Sequence, residues 1–219
     1  MKQIIAINKV KGWTSHDVIG KLRRITGIRK IGHAGTLDPL ASGVLIVAIG
    51  RESTREISNY TKQEKEYLAT IKFGQVSSTD DEEGDKETIN VVEKPTENIV
   101  QQTLKKFTGR IKQIPPIYSA IKINGKPACR RVRKGQEVVL EPREVEIKKI
   151  EIVSYKYPIL KLKVICSSGV YIRSLARDLG KELKVGGYLA DLIRTRIGNF
   201  TIDQSQTVEE FSKNYSPLV

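Results

Sequence analysis

The chain is poor in the residues that build metal centres and cross-links. It holds two cysteines, Cys129 and Cys166, and two histidines, His16 and His33, among 219 residues. Without a C-x-x-C spacing that set is too small for a zinc site. A Cys129–Cys166 bridge is the only intrachain disulfide available, and a cytosolic protein is not expected to form it. Met1–Lys9 carries too short an apolar stretch for a signal peptide, and no run approaches the roughly 20 apolar residues of a membrane span. Internal repeats and low-complexity segments are also missing. These absences exclude a disulfide-rich secreted scaffold, a zinc module and a helical membrane protein. They predict a soluble, cytoplasmic chain of one large domain, with no metal or cofactor.

Acid is scarce relative to base. The chain has 38 Lys and Arg against 25 Asp and Glu, a net charge of +13, and such a balance favours a polyanionic partner such as nucleic acid. The acids are unevenly placed: Ser78–Glu87 holds six of them with one lysine. This run reads as a solvated loop, which leaves the remainder more basic still.

What is present is concentrated in Ile31-Gly32-His33-Ala34-Gly35-Thr36-Leu37-Asp38-Pro39-Leu40-Ala41-Ser42-Gly43-Val44-Leu45, with three glycines in fifteen residues. Glycine at this density lets a backbone turn tightly and approach a ligand. The apolar run Val44–Ile49 that follows reads as a buried strand able to hold the loop. Pro39 biases Asp38 towards extended geometry. Two readings stand on these residues alone: an Asp-Pro turn between strands, or a fixed catalytic carboxylate.

Elsewhere the pattern predicts a strand over Gln3–Asn8, then a helix opened by Thr14 and Asp17 in a capping pattern, with Val18, Leu22 and Ile25 on one face. Lys9, Lys11, Lys21, Arg23, Arg24, Arg29 and Lys30 form a basic lead-in, either a solvated face or a phosphate-contacting one. A short helix is expected over Ser53–Tyr60. A strand over Lys65–Gly74 would turn Tyr67, Ala69, Ile71 and Phe73 to one side. A helix over Thr96–Phe107 would turn Ile99, Leu104 and Phe107 inwards. Strands are expected over Val145–Val153 and Leu160–Cys166, then a helix with Ile172, Leu175, Ala176, Leu179 and Leu183 on one face, and a last short helix around Val208–Phe211. Arg173, in the first turn of its helix, has no acidic partner at helical spacing and opposes the helix dipole. It is either a tolerated surface arginine or one claimed by a carboxylate elsewhere in the fold.

The stretch Gly32–Leu45 closely resembles the catalytic motif of the TruB family of tRNA pseudouridine synthases, and fourteen defined positions make that match specific. Further resemblances follow in order: Lys9-x-x-Gly12-x-Thr14-Ser15-x-Asp17; Lys65-x-Tyr67 with Phe73-Gly74 and Thr79-Asp80-Asp81-x-x-Gly84; Pro115-Pro116-x-Tyr118-Ser119-Ala120-x-Lys122; Ser167-x-Gly169-x-Tyr171-Ile172-Arg173; and Leu192-x-Arg194-Thr195-x-x-Gly198-x-Phe200. The insert departs from the family pattern at Cys129 and Val132-Arg133-Lys134-Gly135, which leaves its fine contacts open.

The resemblance implies an α+β pseudouridine synthase fold, a mixed and mainly antiparallel sheet with flanking helices. It implies a catalytic domain over residues 1–203, with an inserted RNA-gripping segment at about 113–143, and a short tail over 204–219 with no PUA domain. The implied reaction isomerises the T-loop uridine of tRNA, position 55, after flipping it out of the RNA. Asp38 is the implied catalytic aspartate, paired with Arg173, and Tyr67 the active-site tyrosine. His33 is implied to enter the T loop and Leu192 to line the base pocket. Lys9, Gly32, Thr36, Tyr118, Lys122 and Tyr171 complete the implied substrate contacts. The partner is the tRNA T stem-loop, the protein a monomer, and no cofactor is required.

Overall fold

The structure, a computed structural model, describes residues 3–119, 121–123, 126–132 and 134–216. In chain order the elements are β1 (Gln3–Lys9), α1 (Ser15–Thr26), β2 (Ile31–Ala34), β3 (Ala41–Ile49), α2 (Arg51–Glu56), α3 (Ser58–Thr61), β4 (Lys65–Phe73), β5 (Gln75–Ser77), β6 (Lys86–Thr88), α4 (Glu97–Leu104) and β7 (Gly109–Gln113). There follow β8 (Lys122–Ile123), β9 (Lys126–Pro127), α5 (Ala128–Val132), β10 (Arg143–Lys156), β11 (Ile159–Cys166), α6 (Ile172–Glu182), β12 (Gly187–Ile197), β13 (Phe200–Thr201) and α7 (Val208–Asn214). Two compact units result: unit 1 is Met1–Leu68 with Leu192–Val219, and unit 2 is Ala69–Asp191. The chain passes between them within β4 and again within β12.

Unit 1 is built on β3. β1 pairs antiparallel with it from Gln3↔Ile49 to Lys9↔Gly43, β2 pairs antiparallel with its end, and β12 runs parallel to its start through Leu192↔Ala41 and Arg194↔Gly43. Both faces of β3 are covered, which is why its sequence is a near-continuous apolar run rather than an alternating one. Leu45, Val47 and Ile49 pack with Val18, Ile19 and Leu22 of α1 and Val208 and Phe211 of α7. Val44 and Ile46 face the other way, against Ala34 and Ile197. The expected capping box is formed: the Thr14 side chain accepts from the Asp17 amide, and the Asp17 carboxylate accepts from the Thr14 amide. α7, within the expected tail, thus belongs to the core of this unit.

In unit 2 the order is β12, β4, β11, β10, β7. β10 pairs antiparallel with both β11 and β7. The expected face of β4 is buried at Tyr67, Ala69, Ile71 and Phe73, and that of α6 at Ile172, Leu175, Ala176 and Leu179. The sheet is therefore mixed and mainly antiparallel, with helices flanking it, as the α+β expectation required.

Several expectations need correction. The single helix expected over Ser53–Tyr60 is two short ones. Leu104 is buried as expected, but Ile99 is exposed, and Val100 and Thr103 complete the buried face of α4. The acidic run is an ordered, partly buried loop between β5 and β6, a β-hairpin pair.

The tightest backbone approach in unit 1 lies where β3 meets β12. A Cβ on Gly43, whose φ is +101°, would stand 2.2 Å from the Arg194 carbonyl oxygen. Gly43→Ala is expected to lower the unfolding free energy by about 2–4 kcal/mol, read from chemical denaturation.

Candidate active site

The backbone around Asp38 is pinned on both sides by neighbours within unit 1. Ser15, the first residue of α1 and buried, donates from Oγ to the Leu37 carbonyl at 3.1 Å and accepts from the Leu37 amide at 2.9 Å. The Gly12 amide donates to the Pro39 carbonyl at 2.8 Å, and the Ala41 amide closes the Asp-Pro turn onto the Asp38 carbonyl at 3.1 Å. The motif is thus a turn, and it holds a half-buried carboxylate. Pinning of this kind fixes a reactive group before substrate arrives, which lowers the entropic part of a barrier.

Buried cations frame the loop. Arg194 is 1% exposed; its Nε donates to the Val44 carbonyl at 2.7 Å and its Nη2 to the Gly35 carbonyl at 2.9 Å. Lys65 donates to the Thr61 and Gln63 carbonyls at 2.9 and 2.7 Å, and a Cβ on Gly35 would lie 3.5 Å from Arg194 and 3.6 Å from Lys65. Lys9, at the start of the basic lead-in, is fully buried, and its Nζ donates to the Val10 and Trp13 carbonyls at 3.0 and 2.6 Å, so it shapes the turn before α1.

His33 lies on β2 rather than in a loop. Its ring meets His16 edge to face at 5.6 Å between centroids, and Nδ1 is buried without a hydrogen-bond partner among the described residues. Burial, followed by the nearby His16 and Arg194, lowers its pKa to about 4. It is therefore a neutral ring at physiological pH. Thr36 is exposed on the loop, Gly32 is half-buried on β2, and Leu192 is buried on β12.

Unit 2 holds the other candidates. Arg173, 6% exposed in the first turn of α6, is claimed by a carboxylate from elsewhere in the fold: Nη1 meets Asp81 Oδ2 at 3.3 Å. Nη1 also donates to the Thr79 carbonyl at 3.4 Å, and Nη2 to the Tyr118 carbonyl at 3.0 Å. Asp81 is itself 2% exposed and accepts from the Thr79 hydroxyl and the Glu83 amide. The loop can close this tightly because Gly84 lacks a Cβ, which would fall 2.5 Å from Thr79 Oγ1. Tyr171 caps α6 and exchanges two hydrogen bonds with the Gln113 side chain, its amide donating at 2.8 Å and its carbonyl accepting at 3.1 Å. Lys122 lies on β8, and its side chain is outside the described residues.

Unit 1 thus holds Asp38, Tyr67, His33, Gly32, Thr36, Lys9 and Leu192, and unit 2 holds Arg173, Tyr118, Tyr171 and Lys122. Sequence reasoning missed roles for Ser15, Arg194 and Asp81. Each stands inside a quoted motif, so the signal was present, but their partners lie 22, 150 and 92 residues away.

Two outcomes follow from these contacts. Asp81→Asn removes the charge facing Arg173 and is expected to cost about 1–3 kcal/mol, measured by urea unfolding. For His33 the folded pKa lies below the unfolded value of 6.5. The unfolded chain therefore takes up a proton first as pH falls, and stability is lost between pH 6.5 and about 4. The urea midpoint of the wild type is expected to drop more steeply across that interval than that of His33→Asn.

Comparison with known proteins places these residues in a family. Residues 23–172 match the TruB family pseudouridylate synthase (N terminal domain), and residues 173–217 match the tRNA pseudouridylate synthase B C-terminal domain. The chain is 42% identical to tRNA pseudouridine synthase B of Thermobifida fusca over 98% of its own length and 76% of that protein's. It is 44% identical to tRNA pseudouridine synthase B of Parabacteroides distasonis over 95% of its length and 91% of that protein's. Its fold is similar to that of a chain in the crystal structure of a Cbf5-Nop10-Gar1 complex, with a TM-score of 0.76 and 30% identity. That alignment covers 97% of this chain and 54% of the other, so this chain spans about half the length of that solved relative. The fold is the pseudouridine synthase fold, and the chain belongs to the TruB family of pseudouridylate synthases.

Proposed function

We propose that this chain is a tRNA pseudouridine synthase that isomerises the T-loop uridine at position 55, with Asp38 as the reacting carboxylate. The observation that carries the reading is the pinned Asp38 turn within the fourteen-residue motif. The greater identity to the tRNA enzymes than to the Cbf5 chain supports tRNA as the substrate.

In this reaction the N-glycosidic bond breaks, the uracil turns while held, and C5 bonds to the same ribose carbon. The C5 proton leaves and N1 regains a proton, so the reaction needs no outside reductant or oxidant. Asp38 serves as nucleophile or base at the sugar. Arg173 is assigned, from its motif, as the guanidinium that pairs with Asp38 and keeps it ionised against desolvation. Tyr67 stacks on the uracil and relays the C5 proton. The target base must leave its stack, at a cost of a few kcal/mol; His33, neutral and therefore cheap to desolvate, enters the opened loop, and Leu192 lines the base pocket.

The exposed lead-in and the insert at 113–143 grip the phosphate backbone, so affinity falls as salt is added. The working form is a monomer in the cytoplasm. Among the described residues no helix is long and apolar enough to cross a membrane.

The test is pseudouridine formation on an unmodified tRNA transcript, wild type against Asp38→Asn. Product at position 55 is expected from the wild type, with a loss of at least about 1,000-fold in the variant and tRNA affinity retained. Product from Asp38→Asn at the wild-type rate would remove the assignment. Tight binding without product from either protein would leave an RNA-binding protein in place of an enzyme.

A further inference from the structure

The root of the insert is held in unit 2 by contacts that the proposed reaction does not use. β7 ends at Gln113, and Pro115 and Pro116 have no amide proton, so the sheet ladder stops there. From Ile114 to Tyr118 the backbone is held through its carbonyls. The Ile114 carbonyl accepts from Ser174 Oγ at 2.8 Å and from Arg177 Nη2 at 2.8 Å. The Tyr118 carbonyl accepts from Arg173 Nη2. Ile114 and Ile117 leave their side chains 47% and 39% exposed, whereas Pro115 and Pro116 between them are buried and anchor the middle of the span. Its two ends, Ile114 and Tyr118, are set by three donors from α6.

Arg177 is aimed by two carboxylates. Its Nη1 meets Asp80 Oδ2 at 2.8 Å and its Nε meets Asp178 Oδ1 at 2.9 Å, which leaves Nη2 directed at Ile114. A planar guanidinium engaged on three sides has little freedom to turn. Asp80 precedes Asp81, which holds Arg173. One acidic loop therefore sets both guanidiniums, and they grip the two ends of the 114–118 span.

We propose that Arg177 is a positioning residue for RNA grip: it fixes the direction in which the chain leaves β7 and so holds the Tyr118 carbonyl on Arg173. This rests on the proposed reading of the chain as a tRNA-modifying enzyme whose insert grips RNA. Without Arg177 the Ile114 carbonyl keeps only Ser174, the start of the span loosens, and bound RNA must spend part of its binding energy in re-forming the root. Once RNA saturates the protein the geometry is regained. The defect then lies in affinity and not in the rate at saturation.

Arg177→Gln in the full chain, tested with a T-arm hairpin transcript, is expected to raise KM about tenfold and leave the single-turnover rate at saturating RNA within about twofold. Dissociation constants measured with the Asp38→Asn change added should rise by the same factor. Arg177→Lys keeps the charge but not the three-way fork, and is expected to resemble Arg177→Gln. Ser174→Ala removes the other donor to Ile114 and is expected to raise KM about threefold, in the same sense. It also decides the matter if Arg177→Gln does not fold.

Unchanged KM and affinity, a fall in the saturating rate at constant KM, or full recovery by lysine would each overturn the proposal. An inactive wild type would count against the proposed function instead, and the binding comparison would still judge Arg177.

Discussion

A cation taken out of water must be surrounded by oxygen atoms, and much of this fold is arranged to meet that demand. Lys9, Lys65, Arg173 and Arg194 are between 0 and 6% exposed. Leaving any one of them without acceptors would cost several kcal/mol. Backbone carbonyls supply most of the oxygen seen around them: those of Val10 and Trp13, of Thr61 and Gln63, of Thr79 and Tyr118, and of Gly35 and Val44. These carbonyls belong mainly to irregular segments, where no ladder would otherwise satisfy them. The buried charges therefore order the loops from within, much as bound ions would.

That arrangement bears directly on the chemistry of a TruB-family chain. A reacting carboxylate needs a fixed position and a low solvent content, which are conflicting demands on a loop. Here the Asp38 turn is fixed through its neighbours Leu37, Pro39 and Ala41, and the side chain remains half-buried. Arg173, the guanidinium assigned to the proposed reaction, is likewise held by more than one oxygen, so its orientation does not depend on substrate alone.

How far the sequence could be read followed the range of the interactions. Apolar runs, alternation and helical patterns located β1, β3, β4, β11 and α6 because burial leaves a local signal. The capping box of α1 was legible for the same reason. β2 and β7 were not, since strands of four and five residues are too short to show a clear period. Ile99 was misplaced because Thr103 closes the buried face of α4 and hydropathy alone gives a threonine little weight. Asp81 and Arg194 resisted reading most, because a charged residue carries no local mark that its counterpart lies dozens of positions away. The motif resemblance placed Asp38 and Arg173 as candidates, but it did not supply the carboxylate found on Arg173 here, or the histidine's place on a strand.

The split of unit 1 into two chain segments bears on how the protein is made. Val44 and Arg194, which hydrogen-bond to each other, are 150 residues apart. At about 5–20 residues per second of synthesis, roughly 8–30 s separate their appearance. During that interval the Asp38 loop exists without the strand and the last helix that complete its scaffold, whereas all of unit 2 emerges as one uninterrupted stretch. The Asp38 turn, translated early, is thus among the last parts of unit 1 to reach its final form.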